Sequence, residues 1–417
     1  MKKLMIYCSL LLMLLLVACS SGGTTETGTQ PDQTQTEEET SPPANQEAET
    51  SNETIKIGYV LAKTGPFAEL GEDVRRGLEL YLDEKGGQLA GREVEIIDED
   101  GEGNPQVSIR KFRQVVMDQE ADFVIAGDSS AVLYALRDEI EKYNKIMLVP
   151  ISAGNDIAWD QKSEYVYRLL FSNWQGGTTA AEYSAEHLGK KAIVIASDYP
   201  GGDEALESFQ AAFEANGGEI VETFRPPQGA NDYASMINQM AEVDADLVFC
   251  FMVGSDSVRF LTQFNDAGLN QKLPAISAFT FSEPSVFRAV GEGALGILSS
   301  TPYSPWLDNE KNVDFVKRYM EKYNKLPTQS SVAGYDAGQL IDKVVAETDS
   351  LDPDVLKEAI KGITIDSPRG PLTIDPETHD PVQNFYIVQT TEGDDGLILE
   401  VLETYEQIKI PAQKPAQ

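Results

Sequence analysis

Histidine and cysteine are scarce in this sequence. Its 417 residues include two His and three Cys, and none of them occurs at the spacing of a metal-binding motif. A nucleophile elbow of the form G-x-S-x-G and a phosphate-binding P-loop are absent as well. Catalysis therefore has no paired acid and base and no activated nucleophile to rely on. We expect a protein that is not an enzyme and that uses no cofactor and no metal ion.

Positive charge is also in short supply. Lys and Arg number 33 against 68 Asp and Glu, and the formal net charge is −35. Nucleic acids and anionic lipid surfaces are bound through basic patches. We therefore expect no nucleic-acid partner for this chain.

Two glycine motifs leave these expectations unchanged. Residues 291–296 (GEGALG) fit the dinucleotide pattern, but a helix is predicted before them and a strand after them, the reverse of the required order. Residues 98–103 resemble the start of a calcium loop, but Ile109 stands where that loop needs a glutamate. We interpret both motifs as turns.

One apolar run stands out, and it is too short to span a membrane. Residues 10–17 (LLLMLLLV) follow a start with Lys2 and Lys3, whereas a spanning helix needs about 20 residues. A small-residue site, Val17-Ala18-Cys19, comes next. This order is typical of a secretory signal, so residues 1–19 are predicted to be a signal peptide.

The segment L-V-A-C at the end of that signal resembles the bacterial lipobox. The resemblance implies that Cys19 is lipidated and that the protein is exported and anchored on the outer face of the bacterial cytoplasmic membrane. An ordinary signal peptide cut nearby is the alternative. Cys8 leaves with the signal, so Cys250 remains alone and no internal disulfide is expected. Its apolar surroundings predict a buried thiol.

Residues 20–54 contain no Lys, no Arg and no aromatic residue. Thr, Glu, Gln, Pro, Ser and Gly dominate, and such a composition cannot bury a core. We predict a disordered acidic tether. The remaining body, from about residue 55 to 410, is long enough for two domains.

Short β-branched runs alternate with amphipathic stretches through this body, and the alternation predicts βαβ units with parallel sheets. Strands are predicted at 55–61, 94–97, 123–126 and 146–150, with helices at 74–85, 105–117 and 130–143. The cycle restarts with strands at 165–169, 192–196, 220–224, 247–252 and 275–277, and helices at 177–188, 204–215, 233–240 and 257–267. Three helices (314–323, 332–346, 353–360) and two strands (372–374, 385–389) complete the chain.

Polar loops follow three of the predicted strands, at the edge where open α/β sheets bind ligands. Ser129 and Ser130 open a helix, where hydroxyl and amide groups can receive a carboxylate. Simple capping of the helix is the alternative. Ser152, Ala153, Gly154 and Asn155 form the second loop, and the Tyr199 loop is the third. We predict that the three loops face one cleft.

Several segments occur in the order found in a known family. They are residues 64–71 (TGPFAELG), Ser129-Ser130, the Tyr199 loop, residues 334–337 (GYDA) and residues 370–376 (GPLTIDP). Over residues 55 to about 390 the chain resembles the leucine/isoleucine/valine-binding proteins, which have the type I periplasmic-binding fold and serve ABC importers.

The resemblance implies an α/β fold with two Rossmann-like lobes joined by a three-strand hinge. Lobe one would comprise residues 55–170 plus 304–363, and lobe two residues 171–300 plus 372–410. The implied function is delivery of a small carboxylate, a branched-chain or other amino acid, to an ABC permease and its ATPase. The protein would act as a monomer that closes around its ligand. A ligand-sensing surface protein without a transporter is the alternative.

The resemblance also assigns site residues. Ser129 and Ser130, with the backbone of residues 152–154, match positions that hold an α-carboxylate and an α-ammonium. Asn173 stands where the family commonly has Asp, and Tyr199 matches a tyrosine that closes over the ligand.

Departures from the family pattern keep the ligand class open. Leu70 replaces a frequent tyrosine, and residues 277–280 (SAFT) lack the acid that pairs with the ammonium. Asp128 would compensate if it points inward. Otherwise the ligand is an aromatic or other carboxylate without an amine, and Trp174 and Phe279 would suit a flat ring. Both could equally belong to the hinge core.

Overall fold

A computed structural model describes residues 53–65 and 67–415 of the chain. The predicted signal peptide (1–19), Cys19 and all but the last two residues of the predicted tether (20–54) lie outside the described residues. Among the helices that the structure does describe, none has both the length and the apolar character needed to cross a bilayer.

The first lobe is built on a six-stranded sheet. Its elements in chain order are β1 (Ile55–Leu61), α1 (Ala68–Glu84), β2 (Gln88–Leu89), β3 (Arg92–Asp100), α2 (Pro105–Arg113), β4 (Phe123–Ala126), α3 (Ser130–Tyr143), β5 (Ile146–Val149) and β6 (Val166–Arg168). The strand order is β2-β3-β1-β4-β5-β6, and only the β2–β3 pair is antiparallel.

Burial explains why these runs become strands. Every residue of β4 and β5 is buried, as expected for the centre of a parallel sheet that helices cover on both faces. Caps set the helix starts: the Asn104 side chain accepts from two amides of α2, which has Pro105 in its first turn.

The second lobe repeats the pattern. Its elements are α4 (Asn173–Tyr183), β7 (Lys191–Ala196), α5 (Pro200–Ala215), β8 (Glu219–Phe224), α6 (Ala234–Met240), β9 (Leu247–Phe251), α7 (Ser255–Asp266), β10 (Ala275–Ala278), α8 (Pro284–Val290) and β11 (Leu298–Thr301). The five strands pair in parallel in the order β11-β10-β9-β7-β8. Cys250 is buried in β9, as predicted.

The last hundred residues serve both lobes. They form α9 (Glu310–Tyr323), α10 (Gln329–Thr348), α11 (Pro353–Ile360), β12 (Thr364–Ser367), β13 (Gly370–Ile374), β14 (Pro381–Gly393) and β15 (Gly396–Ile408). Helix α10 packs on the first lobe, where Asp342 accepts from Tyr81 Oη at 2.6 Å and from the Ala90 amide at 2.7 Å. Strand β14 pairs antiparallel with β11 and extends the second sheet.

The chain therefore passes between the lobes three times, after β6, after β11 and after α11. The predicted fold class is confirmed: this is an α/β protein with two lobes, each containing a parallel sheet. The exact lobe boundaries stay a prediction.

Three strands were not predicted, namely β2, β12 and β15. The strongest sequence signal for them lies in residues 396–408, where the apolar residues Leu397, Ile398, Leu399, Val401 and Leu402 follow the turn at Asp394-Asp395. The predicted helices 105–117 and 177–188 end within a residue of the predicted positions, but their last turns, Gln114–Asp118 and Ser184–Leu188, are π-helical.

Candidate functional site

A small cavity lies between the lobes, at the carboxyl ends of the central strands. It offers about 30 Å³ to a water-sized molecule. Both lobes line it: Phe67, Leu70, Asp128, Ser129, Ser130, Ile151, Ser152 and Ala153 from the first, and Asn173, Tyr199, Phe251, Val253 and Phe279 from the second. This is the edge at which open α/β sheets bind ligands.

Most of the predicted ligand-binding residues meet at this cavity, namely Ser129, Ser130, Ser152, Ala153, Asn173, Tyr199 and Phe279. Gly154 lies directly beside it, since a Cβ added there would come within 3.3 Å of Ser130 Cβ. The structure does not bring Asn155 and Trp174 into the cavity. They line a different pocket, together with Trp159.

Asn155 uses its polar groups to join the lobes. Its amide donates to Glu204 Oε2 at 2.6 Å, and its Nδ2 donates to Ser208 Oγ at 3.2 Å. Its Oδ1 accepts from the Trp174 amide at 2.8 Å. Because these bonds use the backbone amide and both polar side-chain atoms of Asn155, the residue has a structural role next to the cavity.

The start of α3 faces the cavity. Ser129 is extended and caps the helix, accepting from the Val132 amide at 3.3 Å. Ser130 is buried as the first helical residue. The first amides of a helix lack intrahelical acceptors and carry a partial positive charge, so they favour an anionic group.

Two hydrogen-bond acceptors lie beside this helix start without a donor. Asp128 is fully buried, and neither of its carboxyl oxygens has a hydrogen-bond partner in the described part of the chain. Burial raises the pKa of Asp128 to about 7, although the nearby amides of Ala62 and Gly103 lower it somewhat. Asn173 donates through Nδ2 to Glu204 at 3.0 Å, whereas its Oδ1 lacks a partner among the described residues.

Aromatic rings form much of the remaining wall. Phe279 has a φ of 57°, a conformation that is costly for a bulky residue. Its amide donates to Ser300 O at 2.7 Å, and its ring centroid lies 4.3 Å from that of Phe171 and 5.4 Å from that of Phe251. Surrounding contacts thus hold a strained residue with its ring at the cavity.

A second cavity of about 30 Å³ adjoins the first and shares Leu70, Ile151, Val253 and Phe279 with it. Thr280, Glu283 and Gln329 also line it. Glu283 was not predicted from the sequence. It lies three residues beyond segment 277–280, which lacks the acid found there in the family. An acid directly before Pro284 looks like a helix start, and nothing in the sequence shows that its side chain points inward.

A buried ion pair supports the loop at residues 152–154. Arg168 Nε donates to Asp380 Oδ1 at 2.9 Å, and both side chains are almost fully buried. The same guanidinium donates to Gly154 O at 2.6 Å and to Phe171 O at 3.2 Å. Arg168 therefore fixes the loop against the first crossing segment.

A second buried pair, Arg369 with Asp336 at 2.6 Å, holds the same crossing segment from the other side. Arg369 donates to the carbonyls of Leu169 and Leu170, and Asp336 also accepts from Ser367 Oγ at 2.9 Å. Asp336 belongs to the motif GYDA, and Arg369 directly precedes the motif GPLTIDP. Both motifs therefore lie at a pair that supports the hinge and not at a ligand contact.

A hydrogen bond between two side chains also crosses the cleft. Tyr134 Oη in α3 donates to Glu204 in α5, and the Asp156 amide donates back to Tyr134 Oη at 3.1 Å. Burial raises the pKa of Glu204, and its bonds to Tyr134 and Asn155 lower it in part. Within residues 53–65 and 67–415, no cluster of His, Cys, Asp and Glu is arranged to hold a metal ion.

Comparison with known proteins agrees with this geometry. Residues 54–395 match the family described as periplasmic binding protein. The Leu/Ile/Val-binding protein homolog 6 of Brucella melitensis is 30% identical over 369 residues, which are 86% of this chain and 94% of the relative.

Two solved structures are also similar. One is the solute-binding protein of an ABC transporter from Rhodopseudomonas palustris BisB5, in complex with 3,4-dihydroxybenzoic acid. It is 28% identical with a TM-score of 0.82, covering 86% of this chain and 99% of the other. The other is the corresponding protein from strain HaA2 with p-hydroxybenzoic acid, 29% identical with a TM-score of 0.80, covering 85% and 98%. The predicted resemblance is confirmed: this chain belongs to the periplasmic binding protein family, with Leu/Ile/Val-binding proteins among its relatives.

Proposed function

We propose that the protein is the extracytoplasmic receptor of an ABC importer and delivers a small carboxylate to the permease and its ATPase. The observation that carries this proposal is the cavity between the lobes, where the start of α3 faces residues of the second lobe. The solved relatives that bind hydroxylated benzoic acids support the carboxylate class.

The carboxylate is recognised at Ser129 and Ser130. Helix amides and the Ser130 hydroxyl supply donors, and the helix dipole adds a favourable field. Tyr199 and Phe279 of the second lobe then cover the solute when the lobes close. Because the cavity is small and enclosed by both lobes, the solute enters an open form and stabilises the closed one.

An amino acid is the first candidate solute. Asp128 and the Asn173 Oδ1 are acceptors without donors, and both line the cavity beside the carboxylate site. An α-ammonium would supply the missing hydrogen bonds and neutralise the buried carboxylate of Asp128.

An aromatic carboxylate is the second candidate. Phe67, Tyr199, Phe251 and Phe279 surround the cavity with rings that suit a flat solute. The bound ligands of the two solved relatives belong to this class.

A thermal-shift screen of amino acids and aromatic acids tests the carboxylate assignment. At least one small carboxylate is expected to raise the melting temperature, because a ligand of the native state stabilises it by mass action. The shift should disappear in Ser130→Asp, where two negative charges would meet, and should shrink in Ser130→Ala. Ser235→Asp, at an exposed helical position, is the matched control and should keep the shift. No response to either class would refute the assignment.

Anchoring through Cys19 is part of the proposal and is supported by the segment L-V-A-C. Cys19→Ser is expected to move most of the protein from the membrane fraction to the soluble fraction, since the acyl chains are lost. Cys250→Ser, which changes a buried thiol in β9, should leave the protein in the membrane fraction. Equal membrane retention of Cys19→Ser and the unchanged protein would exclude the lipid anchor.

Transport and sensing differ in partners rather than in the site. Deletion of the gene for this protein should abolish uptake of the solute if the protein is a transport receptor. An intact uptake rate would favour the sensing alternative.

A further inference from the structure

Glu283 is a buried acid that the carboxylate site leaves unused. It lies at the start of α8 with 6% of its surface exposed, and it lines the second cavity. Neither of its carboxyl oxygens has a hydrogen-bond partner in the part of the chain that the structure describes.

Two other polar side chains lie beside Glu283, namely the Thr280 hydroxyl, which can accept or donate, and the Gln329 amide, whose oxygen accepts. Gln329 Oε1 and Thr280 Oγ1 are buried at the same cavity and find no partner among the described residues. The pKa of Glu283 is raised to about 8, mainly by burial and also by the nearby Asp73, while the Gln329 side chain lowers it in part. An unpaired polar cluster of this kind is costly in the free protein, because buried polar groups normally have partners.

The two cavities form one elongated site with different ends. Leu70, Ile151, Val253 and Phe279 belong to both, so their apolar side chains form the middle. Ser129 and Ser130, with Asp128 and Asn173, lie at one end. Glu283, Thr280 and Gln329 lie at the other.

We propose that Glu283, with Thr280 and Gln329, is a specificity site for a hydrogen-bond donor at the end of the solute remote from its carboxylate. The inference rests on the proposed carboxylate function. The solute then has a carboxylate, an apolar middle and a distal hydroxyl or amine, each facing groups of complementary character.

This site also links solute recognition to closure. Glu283 and Thr280 belong to the second lobe, whereas Gln329 is the first residue of α10 on the first lobe. A distal donor bonded to both sides stabilises only the closed arrangement, which is the state that binding selects.

Calorimetric titration of paired solutes tests the proposal. Benzoate with 4-hydroxybenzoate, and phenylalanine with tyrosine, differ by one distal hydroxyl. The unchanged protein is expected to bind the hydroxylated member of one pair about tenfold or more tightly. Glu283→Met keeps an unbranched side chain but removes both acceptors. It should abolish that preference while leaving the affinity for the unhydroxylated member within about threefold.

Glu283→Gln separates the two donor chemistries. The amide keeps an acceptor oxygen, so a distal hydroxyl should still be preferred. A distal ammonium, tested with 4-(aminomethyl)benzoate, needs the charge and should lose about tenfold or more in affinity. Glu283→Met removes an unpaired buried carboxyl, so its fold should be retained, which its melting temperature checks.

The outcomes separate this inference from the carboxylate assignment. Binding of the panel without preference for a distal donor, or equal losses for both members of a pair in Glu283→Met, overturns the inference and leaves the carboxylate function standing. If the unchanged protein binds no member of the panel, the carboxylate function fails and the inference fails with it.

Discussion

Replacing Arg168 by Met is expected to lower the free energy of unfolding by about 3–5 kcal/mol, because it leaves Asp380 as an uncompensated buried charge. The two side chains are 1% and 2% exposed, so water cannot replace the lost partner. The carbonyls of Gly154 and Phe171 lose a donor at the same time. Solute affinity should fall as well, since the loop at 152–154 is then no longer fixed beside Ser130.

Urea unfolding and titration of the solute found by screening measure the two effects. Arg113→Met is the matched control, because the Arg113 pair with Glu139 lies at the surface, where ion pairs contribute little. The double variant Arg168→Met/Asp380→Leu removes both charges and should recover part of the lost stability. A change in Arg168→Met no larger than that in the control would contradict the structural role of the buried pair.

Alanine at Gly334 is expected to destabilise the first lobe by about 3 kcal/mol or more, in the upper range of overpacking. A Cβ at Gly334 would lie 1.9 Å from Val74 O, and one at Gly77 would lie 1.8 Å from Ser331 O. Helices α1 and α10 therefore cross with their backbones in contact. The clash outweighs the gain of about 1 kcal/mol that alanine gives in a helix interior.

Gly77→Ala should behave like Gly334→Ala, because it enters the same contact from the opposite helix. Gly176→Ala is the control, since the nearest atom to its Cβ would be the Ala278 Cβ, at 3.2 Å, and no backbone atom would lie closer than 3.9 Å. Thermal unfolding of the three variants measures the difference. Melting temperatures for Gly334→Ala that match those of the control would show that the two helices can separate at little cost.

Much of the fold could be predicted from the sequence because helix caps and apolar runs indicate the same elements that the packed fold contains. The apolar run at β4 and the capped start of α3 specify the same strand–turn–helix unit, and both ends were predicted to the residue. Residues 396–408 were missed because apolar and polar residues do not alternate regularly there. Leu397, Ile398 and Leu399 are consecutive, and Glu occupies several later positions of a strand that lies at the edge of the sheet.

Site residues could be predicted from the sequence only where they directly follow a strand, because the strand end then fixes where they lie in the fold. Ser129, Ser152 and Tyr199 follow strand ends, so the parallel sheets bring them to one edge. Trp174 and Glu283 depend on side-chain direction and on which surfaces of two lobes meet, and a single sequence does not contain this information. Trp174 lines another pocket, while Glu283 lines the cleft.

The bond from Tyr134 to Glu204 across the cleft has a consequence for the transporter. It joins the lobes without any help from the solute, so part of the free energy of closure is built into the protein. Each 1.4 kcal/mol of such stabilisation raises the ratio of closed to open empty receptors about tenfold. An importer that meets this receptor must therefore distinguish a loaded closed form from an empty closed form. The closed shape alone does not tell it that a solute is bound.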